Sequence, residues 1–323
     1  MKMKSMYSIL LLIATLFISC NTIASASSRD SQELEVSLTR NPVKLISNVV
    51  FSQPSMRGFD NVPLKMDILQ PASKKAIPAV VFVTGGGFIN ANKDNYLQQR
   101  MDIANAGYVV ASIEYRVAPT STFPAPLEDV KSAVRYLRAN AAKFGIDPQR
   151  IAVMGGSAGG YLAAFTGVTN GIKKFDQGEH LDQSSDVQAV IDQYGLSDLT
   201  KVADGFPQEI QDRHKSPGAT EALWVNGSSV FGELGSINDV PEKAAAANPI
   251  TYITKDAPPF LLMHGNQDTV VSPKQTEILH EALISKGVDS TRYIVKGAAH
   301  GGPYWLQPEV MNIVIDFLDK HLK

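Results

Sequence analysis

Short apolar runs rich in β-branched residues recur at positions 79–84, 108–113, 151–154, 187–194, 260–263 and 291–295, with helical patterns between most of them. This alternation constrains the fold more than any other feature of the chain. Runs so short and so uniformly apolar predict strands buried on both faces. Parallel strands need crossover connections, so the pattern implies an α/β fold: a mostly parallel central sheet with helices on both faces. Positions 45–51 and 64–69 predict a leading antiparallel pair. The clearest helix follows Ser272, which can cap it. Pro273 takes the first helical position and Gln275 completes a capping box. Ile278, Leu279, Ala282 and Leu283 form the apolar stripe, and Gly287 ends it. Between about 197 and 250 the alternation fails, and polar residues interrupt weak periodicities, which reads as an insertion within one domain spanning 43–323.

Three places carry chemistry. The run Ile151-Ala152-Val153-Met154-Gly155-Gly156-Ser157-Ala158-Gly159-Gly160 passes from a strand into a helix through G-x-S-x-G. A serine at so sharp a turn has a strained backbone and needs small residues two positions to either side, which Gly155 and Gly159 supply. Thr84-Gly85-Gly86-Gly87-Phe88 directly follows a strand, where glycines let backbone N–H groups turn toward a developing oxyanion. No G-K-[ST] follows, so a phosphate-binding loop is excluded. A serine hydroxyl also needs an imidazole to accept its proton and a carboxylate to orient that imidazole, in the chain order Ser, acid, His. His280 and His321 fall in helices, whereas His300 sits in a glycine-rich loop after the last strand and is the candidate base. Asp268 follows the preceding strand at its carboxyl end, where sites form in open α/β sheets, and is the candidate acid. Asp198 is the alternative. Asp289 precedes a strand and so lies at the wrong end, and His264 and His180 read as structural or solvated.

The glycine-rich loop, Glu114-Tyr115-Arg116-Val117-Ala118-Pro119, Phe123-Pro124-Ala125, the serine motif, His264-Gly265-Asn266-Gln267-Asp268 and His300-Gly301 together resemble the α/β-hydrolase esterases over roughly 43–322. The resemblance is strongest to the hormone-sensitive-lipase-like and bacterial feruloyl and acetyl-xylan esterase branch. Thr84 stands where that branch usually carries the histidine of His-Gly-Gly-Gly. The resemblance implies a triad of Ser157, Asp268 and His300, with Gly86, Gly87 and Ala158 as oxyanion donors and no cofactor or metal. It implies a serine carboxylesterase, with acetyl or feruloyl groups on polysaccharides as substrates, and the Asp, Gln, Lys, Gly and Asn content of 197–250, which would cover little of a long tail, predicts short-chain esters. An aryl-formamidase shares the fold and triad. A prolyl-oligopeptidase-like peptidase would carry a propeller or similar large domain, for which 323 residues leave no room. The reading from a different class is a non-catalytic ligand-binding relative, against which an intact triad argues.

At the amino terminus Lys2 and Lys4 precede an apolar stretch over 7–18, and Ala24-Ser25-Ala26 follows, the three parts of a secretory signal over 1–26. The twelve apolar positions fall short of the roughly twenty that span a bilayer. Phe17-Ile18-Ser19-Cys20 resembles a bacterial lipoprotein box, which would end the leader at 19 and tether the protein through a lipid on Cys20. Either route predicts export, with 27–42 as a linker. Lys and Arg number 30 against 32 Asp and Glu, with no basic stripe, which excludes nucleic acid as a partner. One cysteine and six scattered histidines exclude disulfide scaffolds and zinc modules.

Overall fold

A computed structural model describes residues 32–228 and 235–323. The expected leader and Cys20 lie outside the described residues. The chain divides into two units, Met1–Thr39 and Arg40–Lys323. The described residues of the first, 32–39, contain no helix or strand.

The second unit is built on an eight-stranded sheet: β1 (Val43–Ser52), β2 (Leu64–Pro71), β3 (Ile77–Val83), β4 (Val109–Ile113), β5 (Ile146–Gly156), β6 (Ala189–Gln193), β7 (Phe260–Gly265) and β8 (Ser290–Val295). Their order across the sheet is β1-β2-β4-β3-β5-β6-β7-β8. β2 pairs antiparallel with both β1 and β4, and every other pairing is parallel. The fold is therefore that of an α/β-hydrolase, and the expected leading antiparallel pair is present. The described helices are α1 (Leu97–Asn105), α2 (Ala125–Ala139), α3 (Ala141–Phe144), α4 (Ala158–Val168), α5 (Gln208–His214), α6 (Thr220–Asn226), α7 (Pro241–Ala246), α8 (Lys274–Ser285) and α9 (Pro308–Leu322).

The period-two geometry of the strands sorts their side chains into two cores. Ala79, Val81 and Val83 of β3, Ile151 and Val153 of β5, and Phe260 and Leu262 of β7 join the core formed with α2, α4 and α8. Val80, Phe82, Ala152, Met154, Leu261 and Met263 face the opposite core with α1 and α9. Both faces are thus covered, which is why these strands read as continuous apolar runs. α4 is buried along its whole length.

One local expectation is corrected. α8 begins one residue later than expected and carries no capping box. Gln275 Oε1 instead accepts the backbone N–H groups of Ser197 and Asp198 at 2.8 and 2.9 Å, and its Nε2 donates to the Lys201 carbonyl. A buried loop with unpaired N–H groups outbids a helix terminus that can use other donors and acceptors. Its carboxyl end behaves as expected: Gly287 has φ +76°, and Val288 N–H donates to the Leu283 carbonyl while Gly287 N–H donates to that of Ile284, a Schellman closure. The segment between β6 and β7 contains the short helices α5, α6 and α7. Its weak periodicity hid α6, which delivers Trp224, a fully buried side chain.

Candidate active site

All the chemistry gathers at the carboxyl ends of β3, β5, β7 and β8. β5 ends at Gly156, and Ser157 turns the chain into α4 with φ 56° and ψ −126°. A non-glycine residue so placed is strained by roughly 1–3 kcal/mol and persists only where its surroundings hold it. Here the Ser157 N–H donates to the Gln193 carbonyl of β6 at 2.9 Å, and the Ser157 carbonyl accepts from Tyr161 N–H at 3.0 Å. The flanking glycines are sterically required. A Cβ on Gly159 would stand 2.0 Å from the Val83 carbonyl oxygen, and one on Gly155 2.3 Å from that of Gly159.

The glycine-rich loop after β3 lies against this turn. A Cβ on Gly85 would meet the Gly156 carbonyl oxygen at 2.6 Å, and one on Gly86 the Asn90 carbonyl oxygen at 2.1 Å. Gly87 takes φ +59° and is exposed. Thr84 is fully buried, but its Oγ1 has no hydrogen-bond partner among the described residues. The brace comes from elsewhere: the buried Tyr115 hydroxyl donates to the Thr84 carbonyl at 2.7 Å. On the far side Phe88 packs on Trp224, ring centroids 4.4 Å apart, and against the edge of Tyr161 at 5.3 Å. The Tyr161 hydroxyl in turn donates to the Ala247 carbonyl at 2.6 Å. Sequence reasoning missed Tyr115, Phe88, Tyr161 and Trp224 as parts of the site.

His300 Nε2 lies 2.8 Å from Ser157 Oγ, and His300 Nδ1 lies 2.7 Å from Asp268 Oδ2. The loops bearing the last two residues are knitted together. Gln267 N–H donates to the Ala298 carbonyl at 2.9 Å, and Gly297 N–H to Asn266 Oδ1 at 2.7 Å. Gly265 permits this approach, since a Cβ there would sit 2.2 Å from the Ala298 carbonyl oxygen. Tyr194, directly after β6, buttresses the imidazole, its ring 5.0 Å from that of His300. Asp268 Oδ1 accepts from Val270 and Val271 N–H, each at 2.9 Å. Burial works to raise the Asp268 pKa, but hydrogen bonds from His264 and His300 and the Val271 N–H outweigh it and hold the carboxyl well below the usual range. It is a permanent acceptor for the Nδ1 hydrogen of His300.

The alternatives lie apart from this cluster. Asp198 pairs with Lys201 and accepts from Asn248 and Thr200. Asp289 pairs with Lys320, and His180 packs its ring against Tyr136. His264 is not solvated. It is fully buried, and its Nε2 lies 3.2 Å from Asp268 Oδ2. Among the described residues no group of three or more His, Cys, Asp and Glu side chains is arranged to hold a metal ion.

The arrangement can activate a serine hydroxyl, and the chain is similar to proteins with named activities. The profile of the BD-FAE family matches residues 66–283. The esterase LipC of Mycobacterium tuberculosis is 33% identical over 232 residues, covering 70% of this chain and 53% of that protein. The chain spans about half the length of the curated relatives it matches. Among solved structures, a truncated form of a carbohydrate esterase from gut microbiota superposes with a TM-score of 0.74 at 28% identity, covering 88% of this chain and 98% of that one. An esterase of Thermogutta terrifontis with propionate bound superposes with a TM-score of 0.65 at 26% identity, covering 87% and 94% respectively.

Proposed function

The chain belongs to the BD-FAE family of α/β-hydrolases, and from that premise we propose that it is a serine carboxylesterase for short-chain esters, with acetyl or feruloyl groups on polysaccharides as natural substrates. One observation carries the reading: Ser157 Oγ, His300 and Asp268 stand in relay at 2.8 and 2.7 Å, beside a glycine-rich loop. Ser157 Oγ attacks the ester carbonyl while His300 Nε2 takes its proton, and Asp268 stabilises the imidazolium that forms. Gly86, Gly87 and Ala158 N–H groups receive the oxyanion. His300 then protonates the leaving alcohol. Water attacks the acyl-enzyme as His300 takes its proton, and that proton returns to Ser157 as the acid departs.

The short-chain part of the reading is supported by the composition of the segment over 197–250, which is rich in Asp, Gln, Lys, Gly and Asn and so offers little apolar surface to cover a long tail. The polysaccharide part is supported by the similar carbohydrate esterase and by export, which we infer from residues 1–26 or 1–19 and which would bring the enzyme to polymers outside the cell. Each buried methylene is worth about 0.8 kcal/mol, so kcat/KM for a deep pocket climbs with chain length, whereas a shallow one peaks early. A panel of acetyl, butyryl, decanoyl and feruloyl esters, with acetylated xylan, tests this. A peak at acetate or butyrate is expected. Faster turnover of decanoyl esters contradicts the short pocket, and inert xylan and feruloyl sugars contradict the polysaccharide reading. For export, mass spectrometry of the mature protein should find an unmodified amino terminus at Ser27 or a lipidated one at Cys20.

A further inference from the structure

Asp268 is held by two imidazoles, and only one of them touches the serine. His264, at the end of β7, places Nε2 at 3.2 Å from Asp268 Oδ2 and 3.0 Å from the Val271 carbonyl oxygen. Neither of those partners can donate, so Nε2 carries a hydrogen and His264 is the donor. Oδ2 is also the oxygen that accepts from His300 Nδ1 at 2.7 Å. A carboxylate with this oxygen shared between two N–H donors, and its other oxygen fixed by Val270 and Val271, has no rotation left. The opposite edge of the His264 ring is also fixed. Its Nδ1 faces Thr276 Oγ1 of α8 at 3.2 Å, and Arg292 Nε of β8 donates to that hydroxyl at 3.2 Å. The Arg292 guanidinium also donates through Nη2 to the Pro273 carbonyl at 2.9 Å. Both His264 and Thr276 have no exposed surface.

We propose that His264 is a positioning residue for the esterase reaction: from behind the acid it locks Asp268 Oδ2 onto His300 Nδ1, and Thr276 and Arg292 tie that lock to α8 and β8. The inference rests on the esterase reading above and extends it to groups that never meet substrate. Buried hydrogen-bond networks of this kind are worth most when every member is satisfied, because a partial network leaves a charged group unpaired in a low-dielectric interior. His264 also explains why burial fails to raise the Asp268 pKa, since its hydrogen bond is the foremost of those opposing desolvation.

The test compares His264→Phe, which keeps the ring's shape and removes the donor, with His264→Gln, whose amide can donate from about the same place, and with Thr276→Val. For each variant kcat and KM on p-nitrophenyl acetate, the thermal midpoint, and the downfield proton resonance of His300 Nδ1–H are measured. His264→Phe should lower kcat by about tenfold or more, short of the roughly ten-thousandfold that follows loss of the carboxylate's role. KM should stay within about twofold, because no substrate contact is removed. The downfield resonance should weaken or vanish in His264→Phe and persist in His264→Gln, which should regain most of the activity. Thr276→Val should show the same kcat effect in smaller measure. Wild-type kcat in His264→Phe overturns the proposal while the esterase reading stands. Equal losses in the Phe and Gln variants that track their thermal midpoints, with the resonance intact, also overturn it by showing a merely structural role. If His264→Phe does not fold, the Gln and Val variants decide: wild-type kcat and an unchanged resonance in Thr276→Val contradict the proposal. If the wild type hydrolyses no ester at all, it is the functional reading that fails.

Discussion

At the scale of single residues the account turns on which carboxylate serves His300. Asp268 reaches Nδ1 at 2.7 Å, whereas Asp198 is engaged with Lys201, Thr200 and Asn248. Asp268→Asn should therefore lower kcat by roughly ten-thousandfold, because the amide favours the wrong tautomer of the imidazole. Asp198→Asn should cost less than about tenfold by the same comparison. Reversed outcomes in steady-state kinetics would assign the acid to the earlier strand. A second pair of substitutions separates Thr84 from its brace. Thr84→Val removes a buried hydroxyl with no partner among the described residues and should raise stability by about 1 kcal/mol with kcat unchanged. Tyr115→Phe strips the Thr84 carbonyl of its donor and should lose about 1–2 kcal/mol and slow turnover. Urea unfolding and initial rates on both variants check this. Ser157, Asp268 and His300, which the structure brings within hydrogen-bond distance of one another, could each be singled out in the sequence because the proposed chemistry demands a chain order and a strand end. Tyr115 and His264 could not be given their roles. A hydroxyl bonded to a backbone carbonyl has no sequence signature, and His264 four residues before Asp268 is equally consistent with an inert core histidine.

At the scale of elements, the strand-turn-helix from β5 into α4 is the part most tightly determined by sterics. Gly159→Ala would place a carbon 2.0 Å from a backbone oxygen of β3, which no side-chain rotation relieves. The strand and helix must separate, at a cost of about 3 kcal/mol, and Ser157 should move out of register with His300. Thermal denaturation and kcat should fall together; a variant with wild-type values for both contradicts the steric reading. The strands were legible because burial on both faces leaves an uninterrupted apolar signal. The start of β5 was not, since Asp147-Pro148-Gln149-Arg150 is polar and its pairing with β3 shifts register there. The capping residues of α8 followed a sound local rule that tertiary demand overrode, as Gln275 went to Ser197 and Asp198. α6 was lost because a seven-residue helix is too short to show a period, although Trp224 within it was a visible anchor.

For the molecule as a whole, packing on both faces of the sheet leaves Asp192 fully buried with no ion-pair partner among the described residues. Burial pushes the Asp192 carboxyl up to about 8 from its ordinary 3.8, against the lowering effect of the Gly195 N–H that it accepts. The folded protein thus keeps a proton that the unfolded chain releases above about pH 4. The stability this gives is complete below the unfolded pKa and is lost as pH rises through about 8, by an amount on the order of 5 kcal/mol at most. Asp268 acts in the opposite sense, and its contribution is lost only as pH falls below about 4. Urea midpoints between pH 5 and 8 should decline in the wild type and decline less in Asp192→Asn; parallel curves contradict this. The parallel sheet and its covering helices were legible in the sequence because periodicity and crossover rules act over the whole chain. The mutual placement of the loops was not, because it depends on close approaches such as Gly265 against Ala298. The central claim, that Ser157 is the nucleophile of an esterase, is tested most directly by kcat for a short acyl ester in Ser157→Ala beside the wild type. The account predicts a loss on the order of a millionfold with the thermal midpoint nearly unchanged. Activity within about tenfold of wild type would contradict it.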